Sequence, residues 1–137
     1  MTAKEYLCQV KEKQDKIVEK EEYIERLRGT LEVAGIRYDV ERVQSSSDLD
    51  RFSKTFSKIF EAEDELKQMK EDFVLFRINV IDMIFKLPDE YHRKILNHVY
   101  IDFMTLKKCA EKIHLSYDYV RELHIQALSV FESMFPQ

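Results

Sequence analysis

Apolar residues recur at steps of three and four along most of the chain, with charged residues between them, which is the pattern of amphipathic helices. Such a series predicts a first helix over residues 2–28, which Gly29 and Gly35 end. A second series predicts one long helix over residues 48–86, and a serine-rich loop over residues 36–46 separates the two. The front of the chain is therefore predicted to be entirely helical.

These two helices need partners. A helix of about 39 residues would be about 58 Å long, and helices with a thin apolar stripe are stable only when packed. We expect residues 1–86 to form a long, coiled-coil-like helical hairpin that associates into a dimer or tetramer. A monomeric bundle, in which the C-terminal helices fold back on the long helix, is the alternative.

Three shorter helices are predicted after the breaker Leu87-Pro88, over residues 90–100, 106–114 and 117–131. Thr105 starts the second of them, and Ser116 can accept a hydrogen bond from a free N–H group at the start of the third. The small pair Cys109-Ala110 permits a close contact between these two helices. Four residues of the last helix have the spacing of a buried face: Val120, Leu123, Ala127 and Leu128.

The second helix of such a pair is the one that enters the DNA major groove in helix-turn-helix proteins. Residues 87–137 are therefore predicted to be a DNA-binding domain, although an ordinary helix pair in an all-α domain has the same pattern. The residues predicted to contact DNA are Tyr117, Asp118, Arg121, Glu122 and Ile125 on the outer face of the last helix, with Thr105, Lys107 and Lys108 at the start of the preceding one.

Residues 84–131 resemble region four of bacterial sigma factors. The residues that carry the resemblance are Ile84, Leu87, Pro88, Arg93, Ile95, Leu96, Tyr100, Leu106, Ala110, Ile113, Leu115, Ser116, Val120, Ala127 and Leu128. The resemblance implies a helix-turn-helix that binds promoter DNA and contacts RNA polymerase. The sequence departs from the family in two respects. Arg121 lies between Asp118 and Glu122 where the family carries several basic residues, and Gln126 occupies the position before the Ala-Leu pair where a basic residue is often found.

The whole chain, with its helical front and Val43-Gln44-Ser45-Ser46 before a long helix, is similar to small phage and prophage regulators of the ArpU/RinA type. That similarity implies a phage-encoded transcriptional regulator that binds double-stranded DNA in the cytoplasm of a bacterial host. Two alternatives stay open. One is a DNA-packaging protein like the small subunit of phage terminase, and the other is an adaptor that binds RNA polymerase without DNA.

Charge limits the DNA-binding hypothesis. The chain of 137 residues has a formal net charge of -4, and from Ile84 onward seven Lys and Arg balance seven Asp and Glu. Phosphate neutralisation supplies much of the affinity for DNA, so a single neutral domain should bind weakly. All four histidines lie in this third of the chain, and their protonation predicts an affinity that rises from pH 7.5 to 6.0.

Motifs for catalysis, metals or membranes are not evident. The only glycines are Gly29 and Gly35, which excludes a glycine-rich phosphate loop. Cys109, His114 and His124 lack the spacing of zinc ligands. Two cysteines and no apolar run of about eighteen residues favour a reducing cytosol over export or a membrane. We therefore expect a protein that is not an enzyme and needs no cofactor.

Overall fold

The computed structural model describes residues 1–35 and 46–136, with the backbone alone for residues 46–50. Within these residues every regular element is a helix, which confirms the all-α class. The elements are α1 (Ala3–Val33), α2 (Ser46–Phe85), α3 (Glu90–Leu96) with a π-helical turn at Asn97–Ile101, α4 (Leu106–Ile113) and α5 (Tyr117–Met134). The predicted loop lies outside the described residues, except for Ser46, which begins α2.

Helix α1 is longer than predicted. Its start is a capping box, in which the Thr2 backbone N–H donates to the Glu5 carboxylate at 3.1 Å and the Glu5 N–H donates to the Thr2 hydroxyl at 3.2 Å. The prediction that the helix ends at residue 28 is wrong, because Gly29 continues it and buried Leu31 extends its apolar face. It stops before Gly35, whose left-handed backbone (φ 77°) suits glycine.

Contacts divide the chain into two compact units. The larger unit contains residues 1–14 and 73–137, and the smaller unit contains residues 15–72. Helices α1 and α2 each contribute residues to both units. The predicted functional boundary at residues 86 and 87 stays a prediction, since compactness does not report which segment oligomerises or binds DNA.

The smaller unit is an antiparallel pairing of its α1 and α2 segments. Glu21 forms an ion pair with Lys70 at 3.8 Å, and Arg28, two turns later in α1, pairs with Glu63, two turns earlier in α2. Exposed ion pairs stabilise little, so burial of apolar side chains holds this unit together. Its buried residues are Ile24, Leu31, Phe56, Ile59 and Ala62.

The larger unit has its own core, which draws on α1, α2, α3 and α5. The fully buried side chains in it include Leu7, Val10, Val80, Ile84, Leu87, Leu96, Ala127 and Phe131. Phe131 contacts the ring of Tyr6 at a centroid distance of 6.3 Å. The N-terminal residues and the last helix therefore share one core, although more than a hundred residues separate them along the chain.

The Leu87-Pro88 breaker is fixed by hydrogen bonds from the start of α3. The Arg93 guanidinium donates to the carbonyl oxygens of Leu87 at 2.7 Å and Pro88 at 3.0 Å. The Asp89 carboxylate caps α3 and accepts from the backbone N–H groups of Tyr91 and His92. The hydrogen bond from His92 lowers the pKa of Asp89, so the cap is charged near neutral pH.

The helix predicted over residues 90–100 is present, but its last turn is wider than an α-helix. The Asp102 N–H donates to the Asn97 carbonyl, five residues earlier, at 3.0 Å. Tyr100 and Ile101 are consecutive residues, and both are 6% exposed.

None of the helices in the described part of the chain is long and apolar enough to cross a membrane.

Candidate nucleic-acid interface

Helix α4 begins at an exposed, basic corner. Thr105 is its N-cap, and the Thr105 hydroxyl accepts from the Lys108 N–H at 3.2 Å, as the sequence predicts. Thr105, Lys107 and Lys108 are all exposed. The other N–H groups of this first turn have no partner within the helix, and such groups favour negative charge. This corner can therefore accept a phosphate.

The turn between α4 and α5 combines two caps. The Leu115 N–H donates to the Ala110 carbonyl at 3.1 Å, and the His114 N–H donates to the Glu111 carbonyl at 3.4 Å, which is the pattern of a Schellman motif. It requires left-handed backbone at His114 (φ 58°, ψ 42°). Ser116 then caps α5, accepting from the Tyr119 N–H at 3.2 Å, as predicted. The direction of α5 relative to α4 is thus set by hydrogen bonds.

The contact between α4 and α5 is made by small side chains. Cys109 and Ala110 are 0% and 3% exposed, and they share a core with Ile95, Val120 and Leu123. Burial raises the pKa of the Cys109 thiol, so the side chain stays protonated and acts as a small apolar residue. The predicted role of the Cys109-Ala110 pair in helix packing is confirmed.

The predicted outer face of α5 is open to solvent, and all five of its residues are exposed: Tyr117, Asp118, Arg121, Glu122 and Ile125. The Arg121 guanidinium lies 3.8 Å from the Asp118 carboxylate and 5.9 Å from the centre of the Tyr117 ring. Both side chains of this ion pair are largely exposed, so it stabilises little. Contact of this face with DNA stays a prediction.

The two groups of predicted residues share a surface. Tyr117 and Lys107 line one shallow groove together with Thr105 and Leu106, so the starts of α4 and α5 lie side by side. Ile125 and Glu122 lie further along α5. The sequence-derived set omits Tyr119, which is 47% exposed beside this face. Helical spacing could have indicated it, because Tyr119 lies three residues before Glu122, which belongs to the predicted face.

A polar pair joins the π-helical turn to the buried side of α5. The Tyr100 hydroxyl and His124 Nε2 are 2.7 Å apart, and the rings stack at a centroid distance of 5.7 Å. Burial, and then the charge of Lys4, lowers the pKa of His124. His124 is therefore not one of the histidines that would make the surface more basic at pH 6.0. Helical spacing could have indicated that His124 is buried, because it lies four residues after Val120 and three before Ala127, but it could not indicate Tyr100 as its partner.

Comparisons with known proteins leave the chain without an assigned relative. No family model, curated protein or solved structure matches it. Within residues 1–35 and 46–136, no group of three or more His, Cys, Asp or Glu side chains is placed to hold a metal ion.

The left-handed residue in the turn generates a stability prediction. His114 carries the cost of a side chain in this backbone region, about 1–2 kcal/mol, whereas glycine adopts it freely but loses more entropy on folding. We expect His114→Gly to raise the free energy of unfolding by about 0.5–1 kcal/mol in urea denaturation. His114→Ala is the control, and it should give no gain. Equal stabilities for the Gly and Ala variants would contradict this account of the turn.

The buried His124 generates a pH prediction. Its pKa is lower in the folded than in the unfolded protein, so its contribution to stability is complete above about pH 6.5 and is lost as the pH falls below that value. We expect the stability of the wild type, relative to His124→Gln, to fall by an amount on the order of 1 kcal/mol between pH 7.5 and 5.5. Gln can still accept from Tyr100 but does not titrate. Parallel pH profiles for the two proteins would refute this role.

Proposed function

We propose that the protein is a phage- or prophage-encoded transcriptional regulator that binds double-stranded DNA through a helix-turn-helix formed by α4 and α5. The observation that supports the proposal best is the outward face of α5, which is exposed over two turns while Val120 and Leu123 behind it are buried. A helix held in this way can enter the major groove with its side chains towards the base edges. The attribution to phage rests on the sequence resemblance alone.

Two kinds of contact are assigned. Arg121 and Ile125, on the protruding face, are proposed to contact base edges, because Arg donates to guanine and apolar groups contact the thymine methyl. Lys107 and Lys108, with the N-cap Thr105, are proposed to contact phosphate and fix the register of α5 on the duplex. Asp118 and Glu122 are proposed to restrict the choice of sequence, because a carboxylate repels acceptor atoms on base edges and accepts a hydrogen bond from the cytosine amino group.

Charge balance makes a single copy a weak binder. Equal numbers of acidic and basic residues from Ile84 onward give little non-specific attraction to phosphate. Affinity must therefore come from two copies bound side by side or from contact with RNA polymerase. Linking two weak sites raises overall affinity strongly when both can engage at once.

One observation favours a second candidate, an adaptor that binds RNA polymerase and not DNA. Arg121 already lies beside Asp118 and over Tyr117 on its own helix, so a DNA contact must replace these interactions. Selection of bound duplexes from a random DNA pool separates the two candidates. Enrichment of a defined site supports the regulator, and absence of binding at low salt, with capture of polymerase intact, supports the adaptor.

The proposed base contact of Arg121 can be tested by substitution. We expect Arg121→Ala to weaken binding to the selected site by about 1–3 kcal/mol and to relax the choice of base at one position. Arg26→Ala is the matched control, since Arg26 is an exposed arginine on α1, outside the larger unit. Gel-shift titration measures both. An unchanged affinity and footprint for Arg121→Ala would remove the assignment.

The proposed phosphate contacts have a different thermodynamic effect. We expect Lys107→Ala and Lys108→Ala each to weaken binding by a similar factor on all DNA sequences, and to reduce the slope of log affinity against log salt by about 1. Binding titrations between about 50 and 200 mM salt, a range over which phosphate contacts change the affinity strongly, would measure both the affinity and the slope. Lys86→Ala, which removes an exposed lysine beyond the end of α2, should leave the slope unchanged.

A further inference from the structure

Helix α2 carries an unpaired apolar stripe within the larger unit. Val74 and Ile78 are each 51% exposed, Leu75 is 68% exposed and Phe85 is 64% exposed. Ile81, between them, is half-buried and packs partly against the core of the larger unit. Single exposed apolar residues are common on protein surfaces, but a contiguous group of large ones marks an interaction site.

Apart from Ile81, the stripe is not part of the face that packs in the larger unit. Val80 and Ile84 are 0% exposed and belong to the core, on the side of α2 opposite to Ile78. Residues 73–85 therefore carry large apolar side chains on two sides, with polar Asn79 and Asp82 between them, whereas a surface helix normally has one apolar stripe. The core occupies one side, and the second side requires another partner.

The spacing of the stripe matches a coiled coil. Val74, Ile78, Ile81 and Phe85 follow one another at steps of four, three and four, which are the steps of the a and d positions of a heptad. In this register Val74 and Ile81 are d residues, and Ile78 and Phe85 are a residues. Large apolar residues at a and d would interdigitate with the same residues of a second copy.

The charges beside the stripe are complementary in the same register. Arg77 occupies a g position and Asp82 occupies the following e position, five residues later. In parallel coiled coils the g residue of one helix lies beside that e residue of the other, and ion pairs at these positions set partner choice and orientation. In an antiparallel pair, g residues lie beside g residues and e residues beside e residues, so Arg77 would not meet Asp82.

From the stripe and its flanking charges we propose that residues 74–85 of α2 form a parallel contact between two copies of this chain, with Arg77 of each copy beside Asp82 of the other. The contact spans about one and a half heptads, so it lies at the small end of protein interfaces. We expect a dissociation constant on the order of micromolar. The dimer does not depend on DNA binding. The dimer would also place two α5 helices, related by its two-fold axis, on adjacent half-sites of DNA, and this consequence rests on the proposed function.

The apolar part of the contact is tested by sedimentation equilibrium of the full chain over a range of concentrations. Ile78→Glu would bring two like charges together at the centre of the stripe, and we expect it to weaken self-association at least tenfold. Val18→Glu is the matched control, because Val18 is 45% exposed on α1 and lies outside the larger unit. Circular dichroism should show the same helix content for both variants, since both positions are exposed.

The orientation is tested by charge reversal. Arg77→Asp would place two acidic residues at each proposed ion pair and should weaken the dimer. The double variant Arg77→Asp/Asp82→Arg restores opposite charges in a parallel dimer and should recover self-association. A double variant as weak as Arg77→Asp would overturn the parallel register.

The outcomes separate this proposal from the proposed function. A wild type that stays monomeric up to about 100 micromolar, two orders of magnitude above the expected constant, would overturn the dimer, as would an Ile78→Glu variant that associates like the wild type. A dimer that is lost in Ile78→Glu, in a protein that selects no DNA sequence, would support the contact and overturn the regulator.

Discussion

The close packing of α4 against α5 is the constraint on which the outer surface depends. Cys109 and Ala110 let the two helices approach because neither side chain extends far, and Val120 and Leu123 complete the contact. A larger residue at either small position would separate the helices and change the direction of α5. Hydrogen bonds fix where the two helices begin and end relative to this contact. They are made by the caps at Thr105 and Ser116 and by the turn at His114. The outward face of α5 is therefore a product of packing behind it.

Local sequence features predicted the parts of the fold that local physics determines. Apolar periodicity gave the helices, and the hydroxyls of Thr105 and Ser116 gave their starts, because a cap acts within three residues. The extent of α1 was missed since its burial continues through Gly29 to Leu31, and burial depends on a partner far away in sequence. The π turn at Asn97–Ile101 was missed for the same reason, because it accommodates a core to which Tyr100 and Ile101 both contribute. The Tyr100–His124 hydrogen bond joins residues 24 positions apart, and no local pattern encodes it.

For the candidate interface, sequence indicated which residues face outward but not how they interact. The five residues of the α5 face are exposed as predicted, yet the positions of Asp118 and Tyr117 around Arg121 required coordinates. In the proposed DNA contact, Arg121 would exchange these contacts for a base edge. Because both members of the Asp118–Arg121 pair are largely exposed, the exchange would cost little.

The shared core of the chain's two ends has a practical consequence for dissecting the molecule. Ala3, Leu7 and Val10 are almost fully buried, and they contact the same core as Ala127 and Phe131. A fragment that starts at Pro88 would leave that core open to water and remove several large apolar contacts. Residues 1–14 and residues 73–85 of α2 must accompany the C-terminal helices if an excised piece is to keep its native packing. If a shorter fragment failed to bind DNA, the failure would indicate unfolding and would not test the proposed DNA contacts.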